Sequence, residues 1–439
     1  MKQWGKVKLG EVLKHRKGFV IIDDNTEYKL CRVQLHRKGV VLREKLFGHQ
    51  IQTKKQQVCK AGDFLVAEMD AKVGGYGFVT QELDGAIVSS HYFLFEIDVK
   101  KIRPQYLEVI SQLKVLQEQI KAVGSTNYAA IRPANVLDWD IPLPPIEKQI
   151  EIEEIYLRCK NIINKIDKEL AFQLTQLENL NQAILQEAVQ GKLVPQNPTD
   201  EPASQLLNRI KAEKEKSGKK EKPLPPIKPE EIPFEIPESW VWCRLGEISN
   251  IVRGGSPRPA GDKTYYDGNI PFLKVGDLTD GNDVYLHKHT FTIKEAGLYK
   301  TRFVEANTLM LTNSGATLGY PKICTFPTTF NDGIAAFLEL SDDFDKVYIF
   351  YFLKSLTRWF LKEASRGQGQ PNLNTDIIGF TPFPIPPKEE QTRIVAEIEK
   401  QLSKTKQLKE HIIANQQATE QLLKALLHEA FEVSEKTEV

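Results

Sequence analysis

The chain has 439 residues, 59 Lys/Arg against 58 Asp/Glu, and 41% hydrophobic residues. That is too long for one ordinary domain of roughly 100–200 residues, and the composition suits a soluble protein with real cores. The polar opening MKQWGKVKLGEVLKHRKG lacks the apolar stretch of a secretory signal, and no apolar run approaches a bilayer span, so the expectation is a cytoplasmic protein without a membrane partner. Five scattered cysteines without a C-x-x-C pair fit reduced thiols better than disulfides or a zinc site.

Net charge of +1 argues for nothing, but its distribution does. Met1–Lys60 holds fifteen Lys/Arg against five Asp/Glu, an excess able to follow phosphates as well as to solvate a surface. From Trp4 the chain runs W-G-K-V-K-L-G-E-V and then through short Val, Ile, Phe and Tyr-rich segments divided by Gly, Asp and Asn turns. That texture predicts strands of a compact mixed domain. Apolar spacing predicts a five-turn helix over Pro104–Ala122. The run I-P-L-P-P-I-E-K-Q from Ile141 then gives way to Ile146–Gln190, free of proline and interior glycine. In this long helix Ile163, Ile166, Leu170, Gln173, Leu177, Leu180 and Ile184 step 3-4-3-4, a coiled-coil period. Between Val194 and Ser239 lies a linker with a short helix at Glu201–Lys216 and an extended P-L-P-P-I-K-P tract, read as a tether.

The second half repeats the first. W-V-W-C-R-L-G-E-I from Trp240 answers the opening, and a helix is predicted at Asp345–Ala364. F-P-I-P-P-K-E-E-Q from Phe383 answers the proline exit, and L-H-E-A-F from Leu427 answers L-Q-E-A-V from Leu185. The last two matches share an offset of 242 residues, at which Thr405, Leu408, Ile412, Asn415, Thr419, Leu422 and Leu426 occupy the same heptad frame. A repeat this long is a duplicated domain-plus-helix unit, not a solenoid. The organisation expected is a domain at 1–145, a long helix at 146–193, the linker at 194–239, a second domain at 240–387, a second helix at 388–432 and a tail at 433–439. Equivalent helices of a duplicated unit suit antiparallel pairing about an approximate two-fold axis, with the amides of Gln173 and Asn415 fixing register inside the seam.

Catalytic motifs are missing. Gly255–Thr264 has the wrong spacing for a P-loop, no G-x-S-x-G elbow occurs, and His287 and His289 lack an obvious third metal ligand. The Pro-Pro pairs at Pro144, Pro225 and Pro386 lack the flanks of amino-methyltransferase motifs.

Taken in order, these features resemble the specificity (S) subunits of Type I restriction-modification systems. The similarity rests on the W-x-x-x-x-L-G-E opening, G-G-S-P-R-P from Gly254, I-P-F-L-K-V-G-D-L from Ile270, N-S-G-A-T-L-G-Y from Asn313, and the two P-P exits. The first half departs from it, reading H-R-K-G-F-V at His15 where a G-G-S/T-P element is expected. The resemblance implies an α+β fold with two similar target recognition domains separated by an antiparallel coiled coil of two long helices. It implies double-stranded DNA as partner, read as an asymmetric bipartite site, with two methyltransferase (M) subunits docked and restriction (R) subunits in the full complex. No catalysis belongs to such a chain: S-adenosylmethionine, ATP and Mg are expected on partner subunits, with no cofactor bound here. The alternatives are a fused recognition and modification methyltransferase and a structural coiled-coil adaptor.

Arg, Asn and Gln suit base edges and Lys suits phosphates. Expected DNA contacts in the second domain are Arg253, Ser256, Arg258, Lys263, Tyr265, Asn313, Ser314, Lys322, Arg366, Gln368 and Gln370. In the first they are Lys72, Tyr76, His91, Asn127, Tyr128 and Arg132. Leu185, Ala188, Leu427 and Phe431 are the expected apolar anchors for M subunits.

Overall fold

The structure is a computed structural model that describes residues 4–113, 115–120, 131–216, 223–364 and 372–432. The chain forms two compact units, one of Met1–Ala171 with Ile413–Val439 and the other of Phe172–Ile412.

In the first unit, Lys6–Lys8 pairs antiparallel with Asp140–Pro142, tying the N-terminal strand to the proline exit. A four-stranded sheet runs in the order Leu13–Arg16, Tyr92–Ile97, Phe64–Ala67, Tyr76–Phe78. A five-stranded sheet runs Phe19–Ile21, Lys55–Val58, Ile87–Val88, Glu27–Gln34, Gly39–Phe47. Phe64–Ala67 is buried throughout, which is why it reads as an unbroken apolar run. Its Phe64 and Val66 enter a core with Leu9, Tyr106 and Trp139, while Leu65 faces a second core with Cys31, Val88 and Leu94.

The second unit has the same plan. Val241–Arg244 pairs with Pro382–Ile385. A five-stranded sheet runs Asn250–Arg253, Ile334–Leu338, Thr308–Thr312, Pro321–Cys324, Tyr285–Leu286. A four-stranded sheet runs Phe291–Ile293, Tyr266–Leu273, Thr328–Phe330, Arg302–Val304. Again the central strand divides two cores, with Leu309 and Leu311 on one side and Met310 on the other. Both units also carry parallel pairing, Leu30 beside Ile87 in the first, and Phe272 beside Thr329 and Tyr285 beside Ile323 in the second.

The proline exits are hydrogen-bonded joints. Gln149, fully buried, accepts from the Arg103 amide at 2.9 Å and donates to the Pro144 carbonyl at 2.9 Å. Gln391, equally buried, accepts from the Asp345 amide at 2.9 Å and donates to the Pro386 carbonyl at 3.1 Å. Tyr106 donates to the Pro142 carbonyl at 3.0 Å, and Tyr348 to the Pro384 carbonyl at 3.1 Å. These carbonyls lie where prolines remove amide donors, so side chains complete the pairing.

Both predicted five-turn helices are broken. The first is Pro104–Gln112 followed by Val115–Glu118, the second Lys346–Ser355 followed by Thr357–Ala364. Just before each break a serine turns back on the carbonyl three residues earlier: Ser111 on Glu108 at 2.6 Å and Ser355 on Phe352 at 2.7 Å. Such local bonds compete with the helical ladder.

The long helices span Ile146–Val189 and Lys388–Glu432. In the second unit Thr405 donates to Asn181 at 2.6 Å, while Leu185 and Ala188 share a core with Ile394 and Ile398. Numbers rise along one helix as they fall along the other, so these halves run antiparallel. The seam, however, steps 4-3 where the sequence suggested 3-4. Ile163, Leu170, Ile184, Thr405, Ile412 and Thr419 are buried as expected. Ile166, Gln173, Leu180, Leu408, Asn415 and Leu422 are exposed, and Asp167, Leu174, Asn181 and Gln416 are half-buried in their place. The two frames share every other position, and the more apolar residues sit on the one that the packing rejects. Gln173 and Asn415 therefore do not enter the seam; Asn181 and Thr405 form its polar pair.

The linker is docked, not a tether. Its helix Ala203–Lys216 buries Ala203, Leu206, Leu207 and Ile210 against the second unit's core. Asp200 pairs with Arg393 at 2.5 Å, and the buried Glu390 accepts from Gln196 at 2.6 Å and Trp240 at 3.0 Å. Arg244, with 2% of its side chain exposed, donates to the carbonyls of Pro225 at 2.6 Å, Pro226 at 3.0 Å and Phe380, and to Glu231 at 2.9 Å.

Candidate nucleic-acid interface

In the second unit three glycine-punctuated turns meet. A Cβ on Gly254 would fall 2.3 Å from the Asn331 carbonyl, and one on Gly255 would fall 2.4 Å from the Lys300 carbonyl. Only glycine allows the backbone to pass so closely. Ser256 donates to Asp332 at 2.6 Å and Arg253 to the Asp332 carbonyl at 2.5 Å. The serine bond first, and then the charges of Arg253 and Arg258, hold the Asp332 carboxyl below the ordinary carboxylate range.

Around this turn the cations are linked to one another's backbones. Arg302 donates to the Arg253 carbonyl at 2.8 Å, Lys300 to that of Arg258 at 2.9 Å, and Lys294 to that of Lys263 at 2.6 Å. The Lys300 ammonium lies 4.0 Å from the Tyr265 ring centre and 5.5 Å from that of Tyr299. Tyr299 is 77% exposed and Phe303 53%. Cations interleaved with exposed rings have the chemistry to meet phosphates and bases.

Of the expected contacts, Arg253, Arg258 and Lys263 are exposed on this surface, with Ser256 and Tyr265 half-buried within it. Lys300, Arg302, Lys294 and Tyr299 were missed, although L-Y-K-T-R-F at Leu298–Phe303 alternates basic and aromatic residues. Asn313 and Lys322 do not reach the surface. Asn313 is fully buried, and both its side-chain amide atoms lack a hydrogen-bond partner among the described residues. Lys322 is 3% exposed and donates to the carbonyls of Gly281 and Asp283, and burial pushes its ammonium pKa down. Both lie on or beside the central strands, where loop-like spelling conceals core positions. Ser314 is half-buried in a bridge to Asn372. Arg366, Gln368 and Gln370 lie outside the described residues.

In the first unit, His91 and Arg132 converge on Glu68, at 2.8 Å and 3.7 Å. Lys72 is exposed. Tyr76 is 1% exposed beside Phe64 and Trp139, and burial pushes its phenol up to about 12, so it belongs to the core. Asn127 and Tyr128 lie outside the described residues. Leu185 and Ala188, expected to anchor a partner, are 4% and 0% exposed and fill this chain's own core. The side chains of Leu427 and Phe431 are outside the described set. Among the described residues no cluster of His, Cys, Asp or Glu is placed to hold a metal, and no helix is long and apolar enough to cross a membrane.

The sequence model of the Type I restriction modification DNA specificity domain matches residues 1–180 and again 237–416. The chain belongs to that family. The two matches coincide with the duplicated domain-plus-helix unit, so each copy is a specificity domain.

The Type I restriction enzyme EcoAI specificity subunit of Escherichia coli is 32% identical over 248 residues, 53% of this chain and 41% of that protein. The EcoEI specificity subunit of the same organism is 32% identical over 265 residues, 57% of this chain and 44% of that protein. These alignments span less than half of those relatives. The HindI specificity subunit of Haemophilus influenzae is 22% identical over 392 residues, covering 79% and 83% of the two chains. Among solved structures, a chain from the type I R-M system shares the fold with a TM-score of 0.67 at 20% identity, covering 98% of both chains. The HsdS subunit from Thermoanaerobacter tengcongensis gives 0.51 at 20% identity, covering 98% and 97%.

Proposed function

We propose that the chain is the non-catalytic DNA-reading subunit of a Type I restriction-modification complex. The observation that carries this reading is a family-matching specificity domain present twice, whose second copy gathers Arg253, Arg258, Lys263, Lys294, Lys300 and Arg302 on interlinked loops. Two similar but non-identical readers require no palindrome, because symmetry in a DNA site mirrors symmetry in its reader. The site is then bipartite and asymmetric.

Methyl transfer with S-adenosylmethionine belongs to two M subunits, and ATP- and Mg-dependent translocation and cleavage to R subunits. With Leu185 and Ala188 buried, the surface offered to M is the exposed apolar stripe of Ile155, Ile162 and Ile166 on the first long helix. Modified bases should be mapped by single-molecule sequencing of DNA from cells carrying this chain with its M partner. One asymmetric two-part motif, modified only when both proteins are present, is the expected result. Methylation by the purified chain alone would replace this reading with the fused methyltransferase.

A further inference from the structure

We propose that the first specificity domain reads its half-site with a bulged two-stranded ribbon, Glu27–Gln34 with Gly39–Phe47, laid into the DNA major groove. This rests on the DNA-reading function above and names the element that performs it in the first unit. The two copies share their scaffold, so whatever makes their half-sites differ must lie where they diverge. They diverge here. In the first unit, eight- and nine-residue strands are joined by four residues. In the second, the corresponding strand Tyr266–Leu273 reaches Phe291–Ile293 only after a helix at Val275–Thr279 and a strand at Tyr285–Leu286. A two-stranded ribbon has the width that a major groove admits.

The ribbon is the edge of the five-stranded sheet; one face, with Tyr28, Leu30 and Leu46, packs on Ile22, Ile51 and Ile87, and the other leaves the core. At its tip, Cys31, Val33 and Val40 are buried, and the turn is held by the His36 and Arg37 amides on the carbonyls of Val73 at 2.8 Å and Gly74 at 3.0 Å. Between Leu30 and Cys31 the register shifts, leaving Arg43 as the extra residue of a bulge. Beyond the bulge the face continuing from the buried one is exposed. Leu42, opposite Cys31 just before the bulge, is 45% exposed; beyond it Phe47 is 46% exposed and Lys45 stands opposite Lys29. Bulges re-aim side chains, and like charges directly opposed on a ladder are destabilising, so this pair fits an anionic partner better than the free fold.

Six cations (Lys29, Arg32, Arg37, Lys38, Arg43 and Lys45) stand in the ribbon against Glu27 and Glu44. Three other cations of the first sixty residues are paired internally, Arg16 with Asp63, Lys8 with Asp138 and Asp140, and Lys54 with Asp24. Lys29 donates to the Glu82 carbonyl at 2.9 Å and Arg37 to Gln117 at 3.1 Å. Among the described residues Arg43 pairs only with its neighbour Glu44, at 3.0 Å, and Arg32, Lys38 and Lys45 have no partner. Arg43 suits a guanine edge, Lys45 a guanine or a phosphate, and Leu42 a thymine methyl.

The test incubates the full chain with a randomised duplex pool and sequences the DNA that it retains. Wild type should enrich a two-part motif. Arg43→Ala with Lys45→Ala should change the bases preferred in one part only and weaken binding to the original motif about tenfold or more. Arg253→Ala with Arg302→Ala, in the second unit, should weaken selection of the other part. An unchanged motif bound within about twofold by the Arg43/Lys45 variant would overturn the ribbon assignment while leaving DNA reading intact. No motif with wild type would overturn the DNA-reading function itself. Arg43→Lys, which keeps charge and fold but loses the planar fork, guards against misfolding of the double variant: it should blur the same part, and a motif as sharp as wild type would also overturn the assignment.

Discussion

Replacing Arg244 with Ala should release the proline strap without unfolding the unit beneath it. The guanidinium is 2% exposed and holds three main-chain carbonyls, Pro225, Pro226 and Phe380. A hydrogen bond from a charged donor contributes about 1.5–3 kcal/mol net. The carbonyls of Pro225 and Pro226 recover water once the strap lifts, so their loss is partly offset. Docking should weaken by about 3 kcal/mol, which is on the order of a hundredfold in the opening equilibrium. Hydrogen exchange read by mass spectrometry over Ile227–Ile232 reports that equilibrium directly. Arg244→Lys should fall between the two, since one ammonium cannot reproduce the fork. Strap exchange unchanged within about threefold would refute the clamp, and so would equal acceleration across the whole second unit.

Tyr348→Phe should lower the second unit's stability by about 1–2 kcal/mol, because the Pro384 carbonyl loses its 3.1 Å donor; a denaturation series against wild type measures it. Gly255→Ala should push the turn away from the Lys300 carbonyl, and because the clash is with backbone it should lower the melting temperature along with DNA binding in a gel-shift titration. Asp332 has a depressed folded pKa, so its contribution is present above the unfolded value and lost only as pH falls through the lower folded one. Ser256→Ala removes the largest cause, so carbon-detected NMR should show Asp332 titrating closer to an ordinary aspartate, with the Gly254–Arg258 loop loosening at correspondingly higher pH.

Duplication, proline exits and long helices were legible because they depend on local spelling: Gln149 and Gln391 recur with their prolines at one offset because each closes the same joint. The seam was half legible. Apolarity alone cannot choose between i+3 and i+4 flanks when, as at Ile166 and Leu180, an exposed face is also apolar. Candidate contacts fared according to burial. Asn313, Lys322 and Tyr76 carry interface chemistry but lie on or beside strands packed on both faces, and period-2 spelling does not say which loop-like stretch runs through the middle of a sheet. The docked linker was illegible for the opposite reason, since its partners Glu390 and Arg393 lie far along the chain.

The first unit takes its last residues from the far end of the chain, Ile413 onward, after an excursion of about 240 residues through the whole second unit. Ribosomes add roughly 5–20 residues each second, so the earlier part of that unit waits some tens of seconds for the helical segment that completes it. During this interval the inner face of its own long helix, with Ile163 and Leu170, has no permanent cover. A nascent chain stalled anywhere before Ile413 therefore displays a greasy surface, which makes it a natural client for chaperones and proteases.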